Sequence, residues 1–270
     1  MKQEFKAELL TNISVKEAAR FIANDQYGMQ PKYDGVRRAI DINGAGAVAF
    51  NKLGDPVPLS SELREQFASV TDIQVDGEQV GNILYLFDIL RADGQDLSDW
   101  SYRDRWQVLE SLAGYFSPSV IQVSPLVTGE AKQHAFEQAQ REFAEGVVFK
   151  RLSAGYRPGR NGQHFKCKFV ATATVRVAAK TAQEEREGKN SLALEMMNAA
   201  GNWVRVGHCS MNGKGVHPPV GGYVEVRYLY GVKSSKKLSL VQCVYLMTRE
   251  DVTDDDCSTQ QIKLRQRPGK

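Results

Sequence analysis

The sequence predicts an α+β protein, with a mainly antiparallel sheet domain followed by a small all-β barrel domain. Over residues 1–170, strand-like runs and helical patterns follow one another in irregular order, whereas a parallel α/β sheet needs regular alternation. Beyond residue 170, five strand-like runs joined by Gly-rich connections are typical of a barrel of the OB type. We therefore expect one domain at 1–170 and an OB-fold domain at 171–270.

Three helices are predicted in the first domain. Two of them begin with a capping-box pattern, in which a serine is followed three residues later by an acidic side chain. Ser14 begins the first such helix, which ends near residue 24, and Ser101 begins the second, which ends near residue 113. The third helix is expected over residues 130–144.

Strands are predicted where β-branched and aromatic residues are concentrated in short apolar runs. In the first domain the predicted strands cover 27–31, 36–42, 47–50, 73–80, 83–90, 146–151 and 164–170. In the second domain they cover 172–179, 192–197, 203–207, 222–230 and 238–247.

Composition limits the class of protein. The chain has 270 residues, of which 42% are hydrophobic and 25% charged, as in ordinary soluble proteins. No apolar run approaches the roughly 20 residues needed to cross a membrane, and the N-terminus lacks the apolar core of a signal peptide. The four cysteines are widely spaced, so neither a zinc site nor a disulfide framework is indicated. We expect a cytoplasmic protein with no membrane partner, and we expect a monomer.

Positive charge is concentrated in the second domain. Residues 171–270 contain 15 Lys and Arg against 10 Asp and Glu, whereas residues 1–170 contain 20 against 22. A basic C-terminal domain fits binding to a phosphate backbone, although a merely soluble basic surface explains the charge equally well.

The segment Lys32-Tyr-Asp34-Gly35-Val-Arg37 has the pattern of a nucleophile site. It lies between two predicted strands, so Asp34-Gly35 is expected to form a tight turn that holds Lys32 at a strand end. An exposed lysine is protonated at pH 7, so a nucleophilic lysine needs positive neighbours or a metal ion beside it. A surface turn is the alternative if the segment is taken alone.

Two further patterns in the first domain fit phosphate chemistry. Glu78 lies in a predicted strand and Glu145 begins another, and Mg²⁺ prefers one or two carboxylates together with waters and phosphate oxygens. Lys166 and Lys168 alternate along a strand, so their ammonium groups point to one face, where they would neutralise a phosphate in the transition state. The alternative for these lysines is the solvent face of an edge strand.

Seven short blocks in fixed order resemble the covalent nucleotidyltransferases, in particular the ATP-dependent DNA ligases. They lie at residues 32–37 (motif I), 76–78 (motif III), 86–90 (motif IIIa), 145–150 (motif IV), 156–160 (a Tyr-x-Pro-Gly-Arg segment), 166–168 (motif V) and 245–251 (motif VI). The resemblance implies a nucleotidyltransferase domain at 1–170, with ATP as the nucleotide, Mg²⁺ (or Mn²⁺) as the metal and nicked duplex DNA as the partner. No extra N-terminal DNA-binding domain is expected before motif I, as in minimal ligases of viral or bacterial accessory type.

The resemblance also implies roles for individual residues. Lys32 becomes linked to AMP, which then passes to the 5′-phosphate of a nick before the 3′-hydroxyl displaces it. Lys166, Lys168 and Asp34 complete the implied catalytic set, and Glu78 and Glu145 are the implied metal ligands. The implied nucleotide-binding residues are Gln30, Lys32, Arg37, Glu78, Phe87, Lys150, Lys166, Lys168, Arg249 and Asp251. In this set Phe87 stacks on the purine, Gln30 helps to select adenine, and Arg249 with Asp251 orients the pyrophosphate.

The chain departs from the family pattern at two places. Val252 stands where motif VI usually ends in a lysine, which removes one phosphate contact. Asn51-Lys52 stands where the family offers a Ser-Arg pair to the 5′-phosphate, so the charge is kept but the bidentate fork is lost.

Nucleic-acid contacts are predicted for Arg37, for Lys52 and for a C-terminal loop. That loop carries Lys233, Lys236 and Lys237 beside serines and a glycine, which suits a mobile phosphate-binding loop, although a plain hairpin has the same composition. Two other readings of the whole chain remain open. One is an RNA ligase or capping-type nucleotidyltransferase, and the other is a catalytically inactive OB protein that binds nucleic acid.

Overall fold

Two compact units make up the chain. The computed structural model describes residues 5–44, 46–142, 144–181, 184, 190–211, 217–234 and 237–265. The first unit is Met1–Lys168 and the second is Phe169–Lys270, so the division lies two residues before the predicted boundary. No helix in the described ranges is long and apolar enough to cross a membrane.

Four α-helices are described in the first unit. They are α1 (Val15–Ile22), α2 (Ser61–Gln66), α3 (Tyr102–Ser111) and α4 (Ala131–Arg141). The predicted capping box is present at α1, where Ser14 Oγ accepts from the Glu17 amide and the Glu17 carboxylate accepts from the Ser14 amide. The three predicted helices are confirmed but end two or three residues early. Helix α2 was not predicted, because six residues are too few to show a helical period.

Eleven strands of the first unit form two sheets. The strands are β1 (Glu8–Ile13), β2 (Tyr27–Pro31), β3 (Val36–Asn43), β4 (Gly46–Phe50), β5 (Pro56–Val57), β6 (Ile73–Val80), β7 (Ile83–Ala92), β8 (Gln95–Asp96), β9 (Ile121–Val123), β10 (Gly146–Arg151) and β11 (Gly159–Lys168). One sheet has the order β1-β11-β10-β2, and the other has the order β5-β4-β3-β6-β7-β8 with β9 added on β7. The pairs β1–β11 and β7–β9 are parallel and the rest antiparallel, as a mainly antiparallel sheet requires.

Strand β1 was not predicted, and β11 begins five residues before its predicted start. Strand β1 pairs with β11, which lies about 150 residues further along the chain. Neither segment shows clean alternation, and β11 opens with glycines and polar residues. Long-range pairing between the two segments therefore overrides weak local propensity.

The prediction of a tight turn between β2 and β3 is wrong in its topology. These strands belong to different sheets, because β2 pairs with β10 while β3 pairs with β4 and β6. A Cβ at Gly35 would lie 2.2 Å from the Gln79 carbonyl oxygen, so only glycine lets the connection pack this closely on β6. Lys32 consequently lies where one sheet passes to the other.

The apolar core of the first unit lies between the β3–β6–β7 sheet and helices α2 and α3. Its fully buried members include Ile40, Val75, Leu86 and Ile89 from the strands and Leu109 from α3. This packing fixes the sheet that carries one wall of the pocket described below.

A closed five-stranded barrel dominates the second unit. Its strands are β12 (Ala171–Ala178), β13 (Ser191–Met197), β14 (Trp203–Ser210), β15 (Tyr223–Tyr228) and β18 (Val244–Arg249), in the order β12-β13-β14-β18-β15. A separate hairpin is formed by β16 (Gly231–Lys233) and β17 (Leu238–Leu240). The predicted single strand at 238–247 is wrong, because a turn with Gln242 at φ 52° divides it into β17 and β18.

Candidate active site

A pocket of about 600 Å³ lies between the two sheets of the first unit. Its walls come from β1, β2, β3, β6, β7 and β10 and from the segments that follow β2 and β10. The lining residues are Glu8, Leu10, Gln30, Pro31, Lys32, Tyr33, Arg37, Asp76, Glu78, Phe87, Asp88, Val148, Lys150 and Tyr156. Five of the six sequence blocks of the first unit contribute residues to this lining, and the block at 166–168 does not.

Lys32 is held beside the pocket by a shared carboxylate. Its Nζ donates to Glu145 Oε2 at 2.8 Å, and its backbone amide donates to the Gly146 carbonyl at 3.0 Å. The second oxygen of Glu145 lies 2.9 Å from Lys168 Nζ. The Glu145 side chain is only 3% exposed, so one buried anion positions two cations.

Unlike Lys32 and Lys168, Lys166 has no anionic partner among the described residues. It is half-buried on β11, two residues from Lys168. Burial lowers the pKa of Lys166, and so do the charges of Lys32, Lys168, Lys52 and Arg160 around it. A cation in such surroundings is stabilised by a bound anion.

Glu78 and Glu145 are the carboxylates that the sequence predicts to hold a divalent cation. Burial raises the pKa of Glu78, as do the negative charges of Asp76 and Glu145, although Lys32 and Arg37 act in the opposite direction. In the described residues no group of three or more His, Cys, Asp or Glu side chains is arranged around a metal position. Magnesium needs only one or two carboxylates when phosphate oxygens complete its shell, so the pair fits that ion with a phosphate substrate.

All three nitrogens of the Arg37 side chain donate hydrogen bonds at the wall of the pocket. Its Nε donates to Asp76 Oδ1 at 2.9 Å, its Nη2 donates to Asp76 Oδ2, and its Nη1 donates to the Glu8 carbonyl at 2.7 Å. Burial acts to lower the pKa of Arg37, but the fully buried Asp76 outweighs it and raises that pKa. This bidentate pair holds the guanidinium so that its central carbon lies 5.6 Å from the Phe87 ring centroid.

Phe87 and Lys150 form the platform of the pocket. Lys150 is 5% exposed, and its Nζ lies 5.2 Å from the Phe87 ring centroid and 4.7 Å from that of Tyr102. Burial lowers the pKa of Lys150, against the opposing charges of Asp88, Glu8 and Asp76. An aromatic face with a buried ammonium beside it suits a heterocyclic base, which offers both a π-face and acceptor nitrogens.

The Gln30 side chain is held in one orientation by the protein. Its Nε2 donates to the Ser124 carbonyl at 3.2 Å, and its Oε1 accepts from the Tyr102 hydroxyl at 2.7 Å. Rotating the amide by half a turn would bring two oxygens together at the Ser124 carbonyl. The amide is therefore pre-organised at the edge of the pocket, where a base would be read.

Sequence reasoning missed a second layer of buried polar residues behind the pocket. Glu8 lies on the unpredicted strand β1. Its Oε1 accepts from Asn161 Nδ2 at 2.7 Å, while its Oε2 lies 3.2 Å from His164 Nε2 without forming a well-aligned hydrogen bond. The Arg151 amide donates to His164 Nδ1, which leaves the proton of the neutral ring on Nε2, facing Glu8. No local pattern marks Glu8, because its partners are supplied by β11.

Other predicted residues lie elsewhere. Asp34 is half-buried in the connection after β2 and is not part of the described pocket lining. In the second unit Arg249 and Asp251 bind each other, with Nε–Oδ1 at 2.7 Å and Nη2–Oδ2 at 2.8 Å, and Arg249 also reaches Glu225 at 3.2 Å.

The predicted nucleic-acid lysines are exposed where the structure describes them. Lys52 lies in the loop between β4 and β5, while Lys233 ends β16 and Lys237 precedes β17. The prediction for Lys236 lies outside the described residues.

Comparison with known proteins finds similarity over part of the chain. Residues 47–168 match the family model described as "ATP dependent DNA ligase domain". A DNA ligase of Methanopyrus kandleri is 34% identical over 120 residues, which are 43% of this chain and 21% of that protein. A DNA ligase of Methanocaldococcus jannaschii is 30% identical over 190 residues, and the match covers 60% of this chain and 32% of that protein.

Solved structures of similar fold match nearly the whole chain. A structure from a "structure-function analysis of Lig E DNA ligases" covers 91% of this chain and 99% of its own, with a TM-score of 0.64 and 19% identity. A "mycobacterial DNA ligase D complexed with ATP and MES" covers 93% and 97%, with a TM-score of 0.57 and 21% identity. By contrast, the chain spans about a fifth of the length of the first curated relatives that it matches.

Proposed function

We propose that the protein is an ATP-dependent DNA ligase that seals 5′-phosphate/3′-hydroxyl nicks in duplex DNA. One observation carries the proposal. Lys32 Nζ is held 2.8 Å from Glu145 beside a pocket that fits a nucleotide, and Lys166 and Lys168 stand on the adjoining strand. Formation of a lysyl phosphoramidate requires a lysine nucleophile, a carboxylate beside it and two cations for the phosphate.

In the first step Lys32 Nζ attacks the α-phosphorus of ATP, so that a P–N bond forms and pyrophosphate leaves. Lys32 must give up a proton before attack, and Glu145 Oε2 is the acceptor that already takes a hydrogen bond from it. Lys166 and Lys168 neutralise the charge that gathers on the α-phosphate oxygens. Asp34 belongs to this catalytic set as a residue that shapes the motif I connection.

In the second step a 5′-phosphate oxygen of the nick attacks the same phosphorus, and the P–N bond breaks so that Lys32 is released. In the third step the neighbouring 3′-hydroxyl attacks the 5′-phosphate, and AMP leaves. Both steps use the phosphate-binding lysines again, so positioning and charge supply most of the catalysis.

The nucleotide pocket selects ATP through the residues already described. Phe87 stacks on the base, with Lys150 beside the ring and Gln30 at its edge. Arg37 and Glu78 lie on the sugar side, where they are neighbours across β3 and β6. Because the Gln30 amide is fixed in one orientation, we propose that it distinguishes a purine that carries an amino group from one that carries an oxo group.

Glu78 and Glu145 are proposed to hold Mg²⁺, with Mn²⁺ as a substitute. The ion supplies charge neutralisation of the phosphate oxygens when it is bound. Glu145 would then have to exchange a lysine contact for the metal, because Lys32 and Lys168 occupy both of its oxygens.

The two units are proposed to be an adenylation domain at 1–170 and an OB-fold domain at 171–270. The closed five-stranded barrel supports the OB assignment. In this proposal Arg249 and Asp251 orient the pyrophosphate during the first step only, while Lys233 and Lys237 contact the duplex backbone. Four free cysteines fit a reducing cytoplasm, where the protein would act as a monomer.

The test is sealing of a singly nicked, 5′-phosphorylated DNA duplex with ATP and Mg²⁺. We expect sealing by the unaltered chain and none by Lys32→Ala, with labelled AMP retained on the former only. Lys132→Met is a control for the loss of another buried lysine, since Lys132 donates to carbonyls of the α1 end and lies away from the pocket.

Other outcomes would change the assignment. Labelling of the protein by ATP or GTP together with sealing of an RNA nick only would indicate an RNA-directed nucleotidyltransferase. Binding of DNA without any labelling would indicate an OB protein that has lost catalysis.

A further inference from the structure

Two tyrosine rings stack on each other beside the nucleophilic lysine. The Tyr33 and Tyr85 ring centroids lie 4.0 Å apart, and the angle between the ring planes is 13°. Tyr33 directly follows Lys32 in the connection between β2 and β3, whereas Tyr85 lies on β7. The stack therefore ties the residue after the lysine to the sheet that contains β6 and β7.

Strand β7 gives Tyr85 a rigid support. The strand is paired on both sides at this point, with Tyr85 opposite Glu78 on β6 and opposite Gln122 on β9. Leu84 and Leu86, the neighbours of Tyr85 in the strand, are fully buried in the apolar core. The backbone of Tyr85 cannot shift without disturbing that core, because the packing of a core leaves no free space.

The position of Tyr33 acts directly on the nucleophilic nitrogen. Lys32 Nζ donates to the Tyr33 carbonyl at 3.3 Å as well as to Glu145 Oε2 at 2.8 Å. Glu145 immediately precedes β10, which belongs to the same sheet as β2. Two acceptors therefore set where Nζ lies. One is fixed by β10, and the other depends on how the connection after Lys32 is held.

The stack lies between two anchors of this connection. Residues 32–34 belong to no helix or strand. At one end the Lys32 amide donates to the Gly146 carbonyl at 3.0 Å, and at the other end Gly35 packs closely on the Gln79 carbonyl of β6. The half-buried Tyr33 ring supports the stretch between these two ends, where the carbonyl that binds Nζ is located.

Tyr85 itself is not part of the described pocket lining. Tyr33 does line the pocket, and so does Phe87, which lies two residues after Tyr85 on β7. A change at Tyr85 should consequently leave the base platform of Phe87 and Lys150 in place and act on the lysine.

We propose that Tyr85 is a positioning residue for the nucleophile, because its ring holds Tyr33 and the Tyr33 carbonyl holds Lys32 Nζ in place for attack on ATP. The inference rests on the proposed function, since it concerns the first step of that reaction. A misplacement of about 1 Å can cost a reaction about 100-fold in rate, so a contact outside the pocket can control this step. The third step does not need Lys32, because there the 3′-hydroxyl attacks the 5′-phosphate and AMP leaves.

The experiment compares the first and third steps in the full chain. Any AMP already bound is removed with pyrophosphate, and self-adenylation by labelled ATP and Mg²⁺ is then followed over a range of ATP concentrations. The same preparations are mixed, without ATP, with a nicked duplex that already carries AMP on its 5′-phosphate. Tyr85→Leu removes the stack but fills most of its volume, and Tyr85→Phe keeps the ring. Tyr115→Leu is the matched control, because Tyr115 is 61% exposed.

We expect Tyr85→Leu to lower the rate constant of self-adenylation at saturating ATP by about 10- to 100-fold. Its KM for ATP, and its rate of sealing the adenylated nick, should stay within about 2-fold of the unaltered chain, because neither depends on where Nζ lies. Tyr85→Phe should recover the rate of self-adenylation, since the ring rather than the hydroxyl forms the stack. Tyr115→Leu should match the unaltered chain in all three measurements.

Several results would overturn the inference. An unchanged rate constant in Tyr85→Leu, an equal loss in Tyr115→Leu, or no recovery in Tyr85→Phe would show that the stack does not position Lys32. An equal loss in sealing of the adenylated nick would show a defect of the whole fold, and a raised KM with an unchanged rate constant would place Tyr85 in ATP binding. Failure of the unaltered chain to take up AMP and to seal the adenylated nick would instead refute the proposed function.

Discussion

Asp88 and Arg105 form a buried ion pair beneath the pocket, and breaking it should cost much of the stability of the first unit. Arg105 Nε and Nη2 donate to the two Asp88 oxygens at 2.8 and 3.0 Å, and both side chains are at most 1% exposed. Arg105 Nη1 also donates to the Trp100 and Ala154 carbonyls, so the pair links α3 to β7 and to the chain after β10.

The change Asp88→Asn keeps the shape of the side chain and removes its charge. The Arg105 guanidinium then stays buried without a counter-ion, which typically costs about 3–5 kcal/mol. For a unit of this size each kcal/mol lowers the unfolding midpoint by about 2–4 °C, so we expect a fall of roughly 6–20 °C. Replacing both members in Asp88→Asn/Arg105→Met should recover part of the loss, because no uncompensated charge remains.

Tryptophan fluorescence during urea and thermal unfolding provides the assay. Trp100 and Trp106 report on the first unit, and a Trp203→Phe background removes the signal of the second. Asp99→Asn is the control, because the Asp99–Arg157 pair is exposed and surface pairs contribute little. A change of less than about 1 kcal/mol in Asp88→Asn, or a double variant weaker than the single one, would refute the reasoning.

Three further predictions concern pH, the motif I connection and the base platform. Burial acts to raise the pKa of Glu8, but the adjacent His164 ring, the charge of Lys150 and the hydrogen bond from Asn161 lower it to about 2, whereas burial lowers the pKa of His164. Both shifts stabilise the fold at neutral pH. The stabilisation from Glu8, about 3 kcal/mol at most, should be lost as the pH falls from about 4.5 to about 2. In unfolding titrations, the free energy of unfolding of Glu8→Gln should therefore depend less on pH over this acid range. In Gly35→Ala the new Cβ would clash with a β6 carbonyl, so self-adenylation should slow by about 10-fold or more. Gly44→Ala is the control, because the space around Gly44 is open and its rate should not change. Equal self-adenylation rates in the two variants would contradict the assigned packing. Phe87→Ala should raise the KM for ATP by about 5- to 100-fold, and Phe87→Tyr should keep the KM near that of the unaltered chain. An unchanged KM in Phe87→Ala would show that Phe87 does not stack on the base.

Local chemistry determined much of this protein. The capping box at Ser14, the bounds of β2, β6 and β10, and the alternation of Lys166 and Lys168 all follow from patterns within about ten residues. Lys32 and the two glutamates were predicted in the same way, since each stands in a short block whose spacing is visible in the chain. The five barrel strands were predicted because β-branched runs and glycine connections mark them, except where Gln242 divides one of them.

Tertiary structure decided which of these groups act together. Strand β1 is recognisable only through its parallel pairing with β11, and that pairing places Glu8 behind the pocket and Arg160 at its edge. The sequence suggests a tight turn at Asp34-Gly35, yet the two strands that flank it belong to different sheets, because β2 pairs with β10 and β3 pairs with β6. The physical reason is that hydrogen-bond partners of a strand are selected by burial over the whole domain, whereas propensity acts over a few neighbouring residues.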